Sequence, residues 1–401
     1  MIQKMAMTVV IASTVLCSCV GNQSERSGAR DTSEIALTDM DVEGGEMFLL
    51  IGTYTSKGGS EGVYLYRFST DSGLGDSVSM VEVDNPSYLT LSRDERFVYA
   101  VSEENRKNSA VHAFALDKRN GRLNPLNTRP VNSVGPCYIT IDRKGRNVHT
   151  ANYGGGSISS MQVNEDGGLA PGTSVMVFSG AGPDSSRQES PHLHSVKYAP
   201  DGQFLFAADL GTDKLYRFTV NDSPFEGQPP IHESSLEEWL TPPGTGPRHF
   251  AFHPDGGRFL YVLGELSGQV IVYDYHFGDL EQKQVIAADT VGARGSADIH
   301  VSPDGRFLYA SNRLENDGIA IFSVDPDEGT LSRVGYQPTA RHPRNFVITP
   351  NGKFLLVASR DDNKIQVFRR DIETGSLADT HQDILISQPV CLKFASAVEL
   401  Q

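Results

Sequence analysis

A strand–turn–strand unit recurs along most of this chain at intervals of 47 to 57 residues. In residues 250–264, FAFHP is followed by Asp-Gly and then by GRFLYVLG. Two β-branched or aromatic runs that flank a short turn predict a β-hairpin. A third run usually follows, such as QVIVYDY at 269–275. A repeat of roughly 50 residues with about four strands predicts one blade of a β-propeller.

Seven copies of the first strand can be counted, and the two ends of the chain complement each other. The copies begin at residues 85, 135, 190, 246, 295, 342 and 388. The seventh copy lacks later strands, whereas residues 48–56 and 61–68 resemble a second and a third strand. We therefore expect an all-β, seven-bladed β-propeller whose ring is closed by the N- and C-terminal segments, which would remove exposed sheet edges. An open solenoid or a pair of sandwiches would not explain this complementarity.

Two local features qualify this pattern. The segment SSLEEWL at 234–240 lies between proline-rich flanks and predicts a short helix capped by Ser234 or Ser235. Cys137 and Cys391 lie near the starts of two first strands, far apart in the sequence. They predict small buried side chains, because their spacing fits neither a disulfide framework nor a metal site.

The N-terminal segment predicts export and a lipid anchor. Lys4 precedes an apolar run from Met5 to Leu16, which is too short for a permanent transmembrane helix and fits a signal peptide. Its end, Leu-Cys-Ser-Cys, resembles a bacterial lipobox with Cys19 as the lipidated residue. We therefore predict a lipoprotein-type signal peptide at 1–19, a flexible tether at 20–46 and the propeller at 47–401, on the periplasmic or cell-surface side of a bacterial membrane. An ordinary cleaved signal peptide is the alternative.

The charge balance limits the choice of partners. Lysine and arginine total 35 against 50 aspartates and glutamates, for a net charge of −15. A general nucleic-acid binder needs a basic face, so no nucleic-acid partner is expected. A local cationic pocket can still bind a small anion in an acidic protein. Nothing in the sequence indicates oligomerisation, and we expect a monomer.

The hairpin geometry predicts that many polar residues meet at one mouth of the central channel. The start of each first strand lies beside the end of its second strand. The starts carry His192, His194, Arg248, His249, Arg344 and Asn345, and the ends carry Asn152, Asp209, Glu265, Asn312 and Arg313. Arg248 and Glu265 bracket one hairpin and should be neighbours, while His192 and His194 should face the same side of a strand. Taken singly, these residues also fit turn caps, structural histidines or a structural ion pair.

The residue types at this mouth favour acid–base chemistry on an anion. Neither a nucleophile elbow nor a phosphate-binding or dinucleotide fingerprint is found. His192 and His194 lack enough acidic partners for a metal, so neither a metal nor a cofactor is expected. Arginine binds carboxylate or phosphate through two hydrogen bonds and stabilises an oxyanion. With Glu265 or a histidine to activate water, the set fits lactone hydrolysis or the reverse cyclisation.

Several segments also resemble one known family. They are SRQESPHLHSVKYAPDG (186–202), ADLGTDKLYRF (208–218), GTGPRHFAFHPDG (244–256), GELSGQVIVY (264–273), SPDGRFLYASNR (302–313) and HPRNFVITPNGKFL (342–355). They are similar to the propeller-type 6-phosphogluconolactonases, also called the lactonase or muconate-cyclase-like family, over about 47–395. The resemblance implies a seven-bladed propeller that hydrolyses 6-phosphogluconolactone.

The resemblance also implies a set of catalytic residues. Its motifs place them at His194 (or His192), Arg248, Glu265 and Arg313. From the position of the residues at the mouth, we add substrate contacts at His192, Arg187, Arg344 and Asn312. The expected partner is therefore a small anionic lactone.

An exported protein would act outside the cytoplasm, where the family's phosphorylated lactone is not expected to accumulate. Another sugar lactone is therefore also expected as a substrate. The alternatives are a muconate-type cyclase and a non-catalytic, surface-anchored propeller that binds a sugar acid or a protein.

Overall fold

The computed structural model describes residues 45–104, 108–221 and 230–398. The predicted signal peptide, Cys19 and the tether up to residue 44 lie outside the described residues. In the described ranges, none of the helices has the length and apolar character needed to cross a membrane. Regular structure here consists of strands and one 3-10 turn at Arg360–Asp362. The strands are β1 (Glu46–Thr53), β2 (Gly62–Ser69), β3 (Gly75–Glu82), β4 (Leu89–Leu91), β5 (Phe97–Ser102), β6 (Ala110–Asp117), β7 (Arg122–Pro130), β8 (Pro136–Ile141), β9 (Asn147–Asn152), β10 (Ser157–Gln162), β11 (Ser174–Val177), β12 (Leu193–Tyr198), β13 (Phe204–Asp209), β14 (Lys214–Val220), β15 (Ile231–Leu240), β16 (Pro247–Phe252), β17 (Phe259–Gly264), β18 (Gln269–His276), β19 (Asp279–Ala287), β20 (Ser296–Val301), β21 (Phe307–Asn312), β22 (Gly318–Val324), β23 (Leu331–Pro338), β24 (Pro343–Ile348), β25 (Phe354–Ser359), β26 (Lys364–Arg370), β27 (Leu377–Asp379), β28 (Ile384–Leu385) and β29 (Pro389–Ser396).

The strands form seven antiparallel sheets, which are the blades of a propeller. Six blades follow the chain in order, as β4 to β7, β8 to β11, β12 to β15, β16 to β19, β20 to β23 and β24 to β27. In the last of these, β28 also pairs with β26. The first strands of successive blades contact one another around the axis. The all-β, seven-bladed prediction is confirmed.

The seventh blade joins the two ends of the chain, as predicted. Its order is β29, β1, β2, β3, so one C-terminal strand pairs with three N-terminal strands. Along the β1–β29 ladder, Met47 lies opposite Ser396 and Ile51 opposite Leu392. β29 also contacts both β24 and β4, the first strands of its two neighbours. The ring is therefore closed by main-chain hydrogen bonds.

The turns that join first and second strands all lie at one end of the propeller. The second residue of each predicted turn pair has a positive φ, which favours glycine. These residues are Glu95, Gly145, Gly202, Gly256, Gly305 and Gly352. The connections are longer than the two-residue loop that the sequence suggests, since residues 142–146 join β8 to β9. Within that loop, Gly145 N donates to Asp142 O at 3.0 Å.

The predicted helix at 234–240 is wrong, because this segment belongs to strand β15 at the outer edge of its blade. A helix of seven residues is only marginally stable by itself, whereas residues 237–240 gain ladder hydrogen bonds with β14. The two glutamates pair with basic residues of β14, Glu238 with Lys214 at 2.6 Å and Glu237 with Arg217 at 2.5 Å. Ser235, one of the two serines predicted to cap this helix, accepts a hydrogen bond from Thr219 N instead.

The core lies between the blades and holds the inner strands rigidly. All six residues of β17, β21 and β25 are buried. Apolar clusters extend from one blade to the next, as where Phe206 of β13 packs against Phe252 of β16. Cys137 and Cys391 are both buried free thiols, as predicted. This packing gives the strand ends at the axis a fixed framework.

Candidate active site

The backbone repeats one hydrogen bond from blade to blade at the mouth where the first strands begin. The residue just past each second strand donates its N–H to the residue that precedes the first strand. Glu265 donates to Gly246 O at 2.8 Å, and Arg313 donates to Gly295 O at 3.1 Å. We call the seven donors the rim ring: Tyr54, Glu103, Tyr153, Leu210, Glu265, Arg313 and Arg360.

A β-bulge follows at the start of the first strand. Pro247 pairs with Gly264 and His249 with Leu263, so Arg248 is left out of the ladder. A register shift at the same place occurs in five other blades. Bulges re-aim side chains, and they are common beside active sites. We call the residues at the Arg248 position the upper ring: Ser87, Cys137, His194, Arg248, Ala297, Arg344 and Val390. The residues that follow them form the lower ring: Tyr88, Tyr138, Ser195, His249, Asp298, Asn345 and Cys391.

This register distinguishes the two predicted histidines. Because Leu210 N donates to His192 O, His192 occupies the position of Gly246, and His194 that of Arg248. His192 stacks on the ring of Tyr153 at 4.4 Å, and His194 also contacts that ring edge-on. Both His192 ring nitrogens have partners, Tyr153 O at 3.0 Å and Glu189 Oε1 at 3.2 Å. His194 is therefore the histidine that reaches the axis.

Glu265 gathers three of the predicted arginines around one carboxylate. Arg187 Nη2 lies 2.7 Å from Oε1, while Arg248 Nε and Arg313 Nη2 lie 2.8 and 3.3 Å from Oε2. The Arg248 contact is ionic, since its N–H is not aligned for a hydrogen bond. Arg248 also donates to Ala297 O, and Arg313 Nε donates to Gly295 O at 2.8 Å. The predicted proximity of Arg248 and Glu265 is thus present in the structure.

The charges in this cluster decide what Glu265 can do. Burial opposes ionisation of its carboxyl group, but Arg313, Arg248 and Arg187 together lower its pKa from 4.5 to about 2. A carboxylate held this firmly is a poor proton acceptor near neutral pH. Glu265 therefore serves to align the three guanidinium groups. Arg187 is the most exposed of them, with 37% of its side chain accessible against 1% for Arg248.

Arg344, at the start of β24, adds a fourth guanidinium group to the axial pocket. It lies over the ring of Tyr54 at 5.3 Å and 3.7 Å from Glu103 Oε2. The Tyr54 hydroxyl donates to the same Glu103 oxygen at 3.0 Å. Burial raises the pKa of Tyr54, and the nearby Glu103 raises it further, so the phenol keeps its proton. Four arginines thus lie close to two carboxylates, those of Glu265 and Glu103.

A small axial pocket lies among these rings. It is lined by Ser87, Tyr88, Cys137, His194, Arg248, His249, Arg344, Asn345 and Val390. Inside it, His194 Nδ1 lies 3.7 Å from the sulfur of Cys137, and its ring meets His249 edge-on at 5.3 Å. Burial and the charge of Arg248 hold the pKa of His194 well below its usual range. The histidine is therefore neutral beside the arginines.

Asn312 stands apart from the arginine cluster. Its side-chain oxygen accepts from Ser296 Oγ at 2.6 Å, and its amide donates to Ala288 O at 3.0 Å. These contacts tie β21 to neighbouring segments rather than to the pocket.

In the described ranges, His, Cys, Asp and Glu side chains nowhere form a group of three suited to a metal.

Sequence reasoning missed several residues at the axis. Tyr54, Glu103, Asp298 and Tyr153 were not singled out, and His249 was placed at the mouth without a role. Side chains of consecutive strand residues normally point to opposite faces, so Arg248 and His249 would not be expected to line the same pocket. The bulge brings both to the axis. The one available signal was the repeat itself, because the rings become visible once the seven strand starts are aligned.

The fold and the mouth together define the class: a closed propeller with an arginine-rich axial site. The family model described as "Lactonase, 7-bladed beta-propeller" matches residues 48–394. A 6-phosphogluconolactonase of Formosa agariphila is 36% identical over 345 residues, covering 84% of this chain and 97% of that protein. This chain belongs to the lactonase family of seven-bladed β-propellers, and the resemblance stated from its motifs is confirmed.

Two solved structures are also similar. A Bacteroides fragilis protein named provisionally as a 6-phosphogluconolactonase is 48% identical, with a TM-score of 0.84. The alignment covers 88% of this chain and 98% of that one. The periplasmic gluconolactonase PpgL of Pseudomonas aeruginosa is 34% identical with a TM-score of 0.81, covering 88% of this chain and all of its own. The name of the Bacteroides fragilis protein specifies a 6-phosphorylated lactone, whereas the name of PpgL specifies an unphosphorylated one.

Proposed function

We propose that this protein hydrolyses a sugar lactone to the open aldonic acid, with 6-phosphoglucono-1,5-lactone as the first substrate to test. The observation that carries the proposal is the cluster of three arginines around Glu265 at the axial mouth of a lactonase-family propeller. Positively charged donors stabilise the oxyanion that forms when water attacks a lactone carbonyl. Named relatives act on lactones of this kind.

The residues take different parts in the proposed reaction. Arg248 lies in the axial pocket and stabilises the charge that develops on the carbonyl oxygen. Glu265 holds Arg248 in place and is itself held by Arg313, since a buried carboxylate between guanidinium groups restricts their positions. A neutral histidine of the pocket accepts the proton of the attacking water, because the Glu265 carboxylate is already occupied by arginines.

Arg187 is suited to recognise a phosphate at the far end of the substrate. It is the outermost arginine of the cluster, and its guanidinium fork matches phosphate geometry. Replacement of Arg187 by methionine should lower kcat/KM for the phosphorylated lactone by about tenfold more than for glucono-1,5-lactone. The matched control is Arg67→Met, because Arg67 is an exposed arginine that pairs with Glu46 in the seventh blade.

The proposed activity is tested with purified full-length protein in a pH-stat. Proton release from glucono-1,5-lactone and its 6-phosphate is measured above the spontaneous rate, for the wild type and for Glu265→Gln. We expect fast hydrolysis that falls by about 100-fold in the variant. Turnover of neither lactone, combined with calorimetric binding of gluconate or 6-phosphogluconate, would favour a binding module and refute the lactonase proposal.

We also propose that the protein is exported, lipidated at Cys19 and monomeric. The proposal is supported by the apolar run and lipobox-like residues before Cys19 and by a relative named as periplasmic. The full-length protein should partition with membranes after cell fractionation, and Cys19→Ala should move it to the soluble exported fraction. A wild-type protein found in the cytoplasm would refute the proposed location.

A further inference from the structure

The axial pocket contains buried polar atoms that the propeller itself leaves unpaired. Ser87 Oγ and His249 Nε2 are both inaccessible and lack a hydrogen-bond partner among the described residues, although both residues line the pocket. Proteins rarely bury polar atoms without a partner, because each unpaired atom costs about 1–3 kcal/mol. Two such atoms in one pocket of about 10 Å³, which is the space of a single water molecule, point to a bound water.

The other side of His249 is held firmly by an acid of the lower ring. His249 Nδ1 lies 2.8 Å from Asp298 Oδ1. Four more donors, from His300, Asn345, Ile299 and Phe346, surround the same carboxylate. Burial opposes ionisation of Asp298, but His300 and His249 hold its pKa well below the usual range. Asp298 is therefore a buried carboxylate with a fixed orientation.

This contact determines which nitrogen of His249 can accept a proton. An ionised carboxylate only accepts hydrogen bonds, so Nδ1 carries the hydrogen and Nε2 carries the lone pair. Burial and the charge of Arg248 lower the pKa of His249 to about 3, which keeps the ring neutral. An anionic substrate beside Arg248 and Arg344 would offset their charge and make Nε2 more basic.

We propose that His249 is the general base of the lactonase reaction and that Asp298 is its positioning residue. The inference rests on the proposed function. A water proton moves to His249 Nε2 while the water oxygen bonds to the carbonyl carbon and the carbonyl electron pair moves to oxygen. When this oxyanion collapses, the ring C–O bond breaks and the proton on Nε2 passes to the departing ring oxygen. Lactone and water thus give one hydroxy acid.

The two other candidates for this role are less suitable. Glu265 is held by three arginines. His194 also lines the pocket, but the partner of its Nδ1 is the thiol of Cys137 at 3.7 Å. An imidazolium at His194 would lie beside Arg248 with no carboxylate on its ring. At His249 the same charge would form 2.8 Å from Asp298.

The test compares His249→Gln and Asp298→Asn with His381→Gln as the matched control. His381 is an exposed histidine beside Asp379, in the outer part of its blade, and does not line the pocket. We expect kcat to fall by about 100-fold or more in the first two variants while KM changes less than threefold. The control should stay within threefold of the wild type in both constants.

A spectroscopic measurement keeps the inference testable if these variants fold poorly. In wild-type protein with ¹⁵N-labelled histidine, His249 should show a protonated Nδ1 and an unprotonated Nε2, and 6-phosphogluconate or gluconate should shift the Nε2 signal. A folded His249→Gln with kcat within threefold of the wild type, or an Nε2 that carries the hydrogen, would overturn this inference alone. A wild type that hydrolyses no lactone would refute the proposed function as well.

Discussion

Replacement of Glu265 by glutamine should destabilise the propeller in a way that depends on pH. The carboxylate is 7% exposed and is the shared partner of three arginines. The fall of its pKa from 4.5 to about 2 corresponds to about 3 kcal/mol of stability near neutral pH. Removal of one partner from a buried ion pair costs a similar amount, about 3–5 kcal/mol. Glutamine has the shape of the protonated acid and carries no charge.

The sign of the pH dependence follows from the lowered pKa. The folded state favours the carboxylate, so this stability is fully present above the unfolded-state pKa of 4.5 and is lost as the pH falls towards 2. Urea unfolding should therefore show Glu265→Gln to be less stable than the wild type by about 3 kcal/mol at pH 7. The difference should narrow steadily below pH 4.5.

A matched control separates this effect from the general loss of a negative charge. Glu281 is an exposed glutamate on β19, so Glu281→Gln should change stability by less than about 0.5 kcal/mol at any pH. A Glu265→Gln protein whose deficit is the same at pH 7 and pH 3.5 would refute the reasoning. So would a variant as stable as the wild type at pH 7.

Three further predictions concern single residues. Burial raises the pKa of the Cys137 thiol to about 12. Iodoacetamide at pH 8 should therefore leave this thiol unmodified in native protein and alkylate it in urea, as measured by peptide mass spectrometry. Labelling of the native thiol would contradict this prediction. Asp209 accepts hydrogen bonds from His192 N, Gly211 N and Thr212 Oγ1. Asp209→Ala should therefore lower the free energy of unfolding by about 2 kcal/mol. An unchanged midpoint of urea unfolding would show that these hydrogen bonds are not needed for stability. Arg313→Lys loses the guanidinium group that contacts both Gly295 O and Glu265. The value of kcat/KM for the lactone should therefore fall by about 100-fold. A loss of less than threefold would show that Arg313 is not part of the active site.

The fold was accessible from the sequence because each blade repeats the same local pattern. Alternating strands, a turn pair and complementary chain ends were enough to predict seven blades and their closure. The helix expected at 234–240 failed because the partner that makes this segment a strand, β14, lies outside its local sequence. Cross-strand pairs such as Glu238 with Lys214 become visible only when the register is known.

The residues of the candidate site could be predicted from the sequence only in part. Arg248 and Glu265 could be paired because they bracket one hairpin. Which residues reach the axis depends on bulges, and a one-residue slip in a ladder has no signature in a single blade. The choice between His192 and His194, and the place of His249 beside Arg248, therefore required the hydrogen-bond register. The Asp298 contact lies in the next blade, which local patterns could not connect to His249.

The pairing of β1 with β29 has a consequence for the timing of folding. Met47 and Ser396 are opposite each other, so nearly the whole described chain must be synthesised before the first strand can pair with its last neighbour. Until then β1 has an open edge that can pair with other chains. Contacts between residues so distant in sequence form slowly. The seventh blade is therefore completed last, because a nascent chain that stops before residue 389 lacks the innermost strand of this blade.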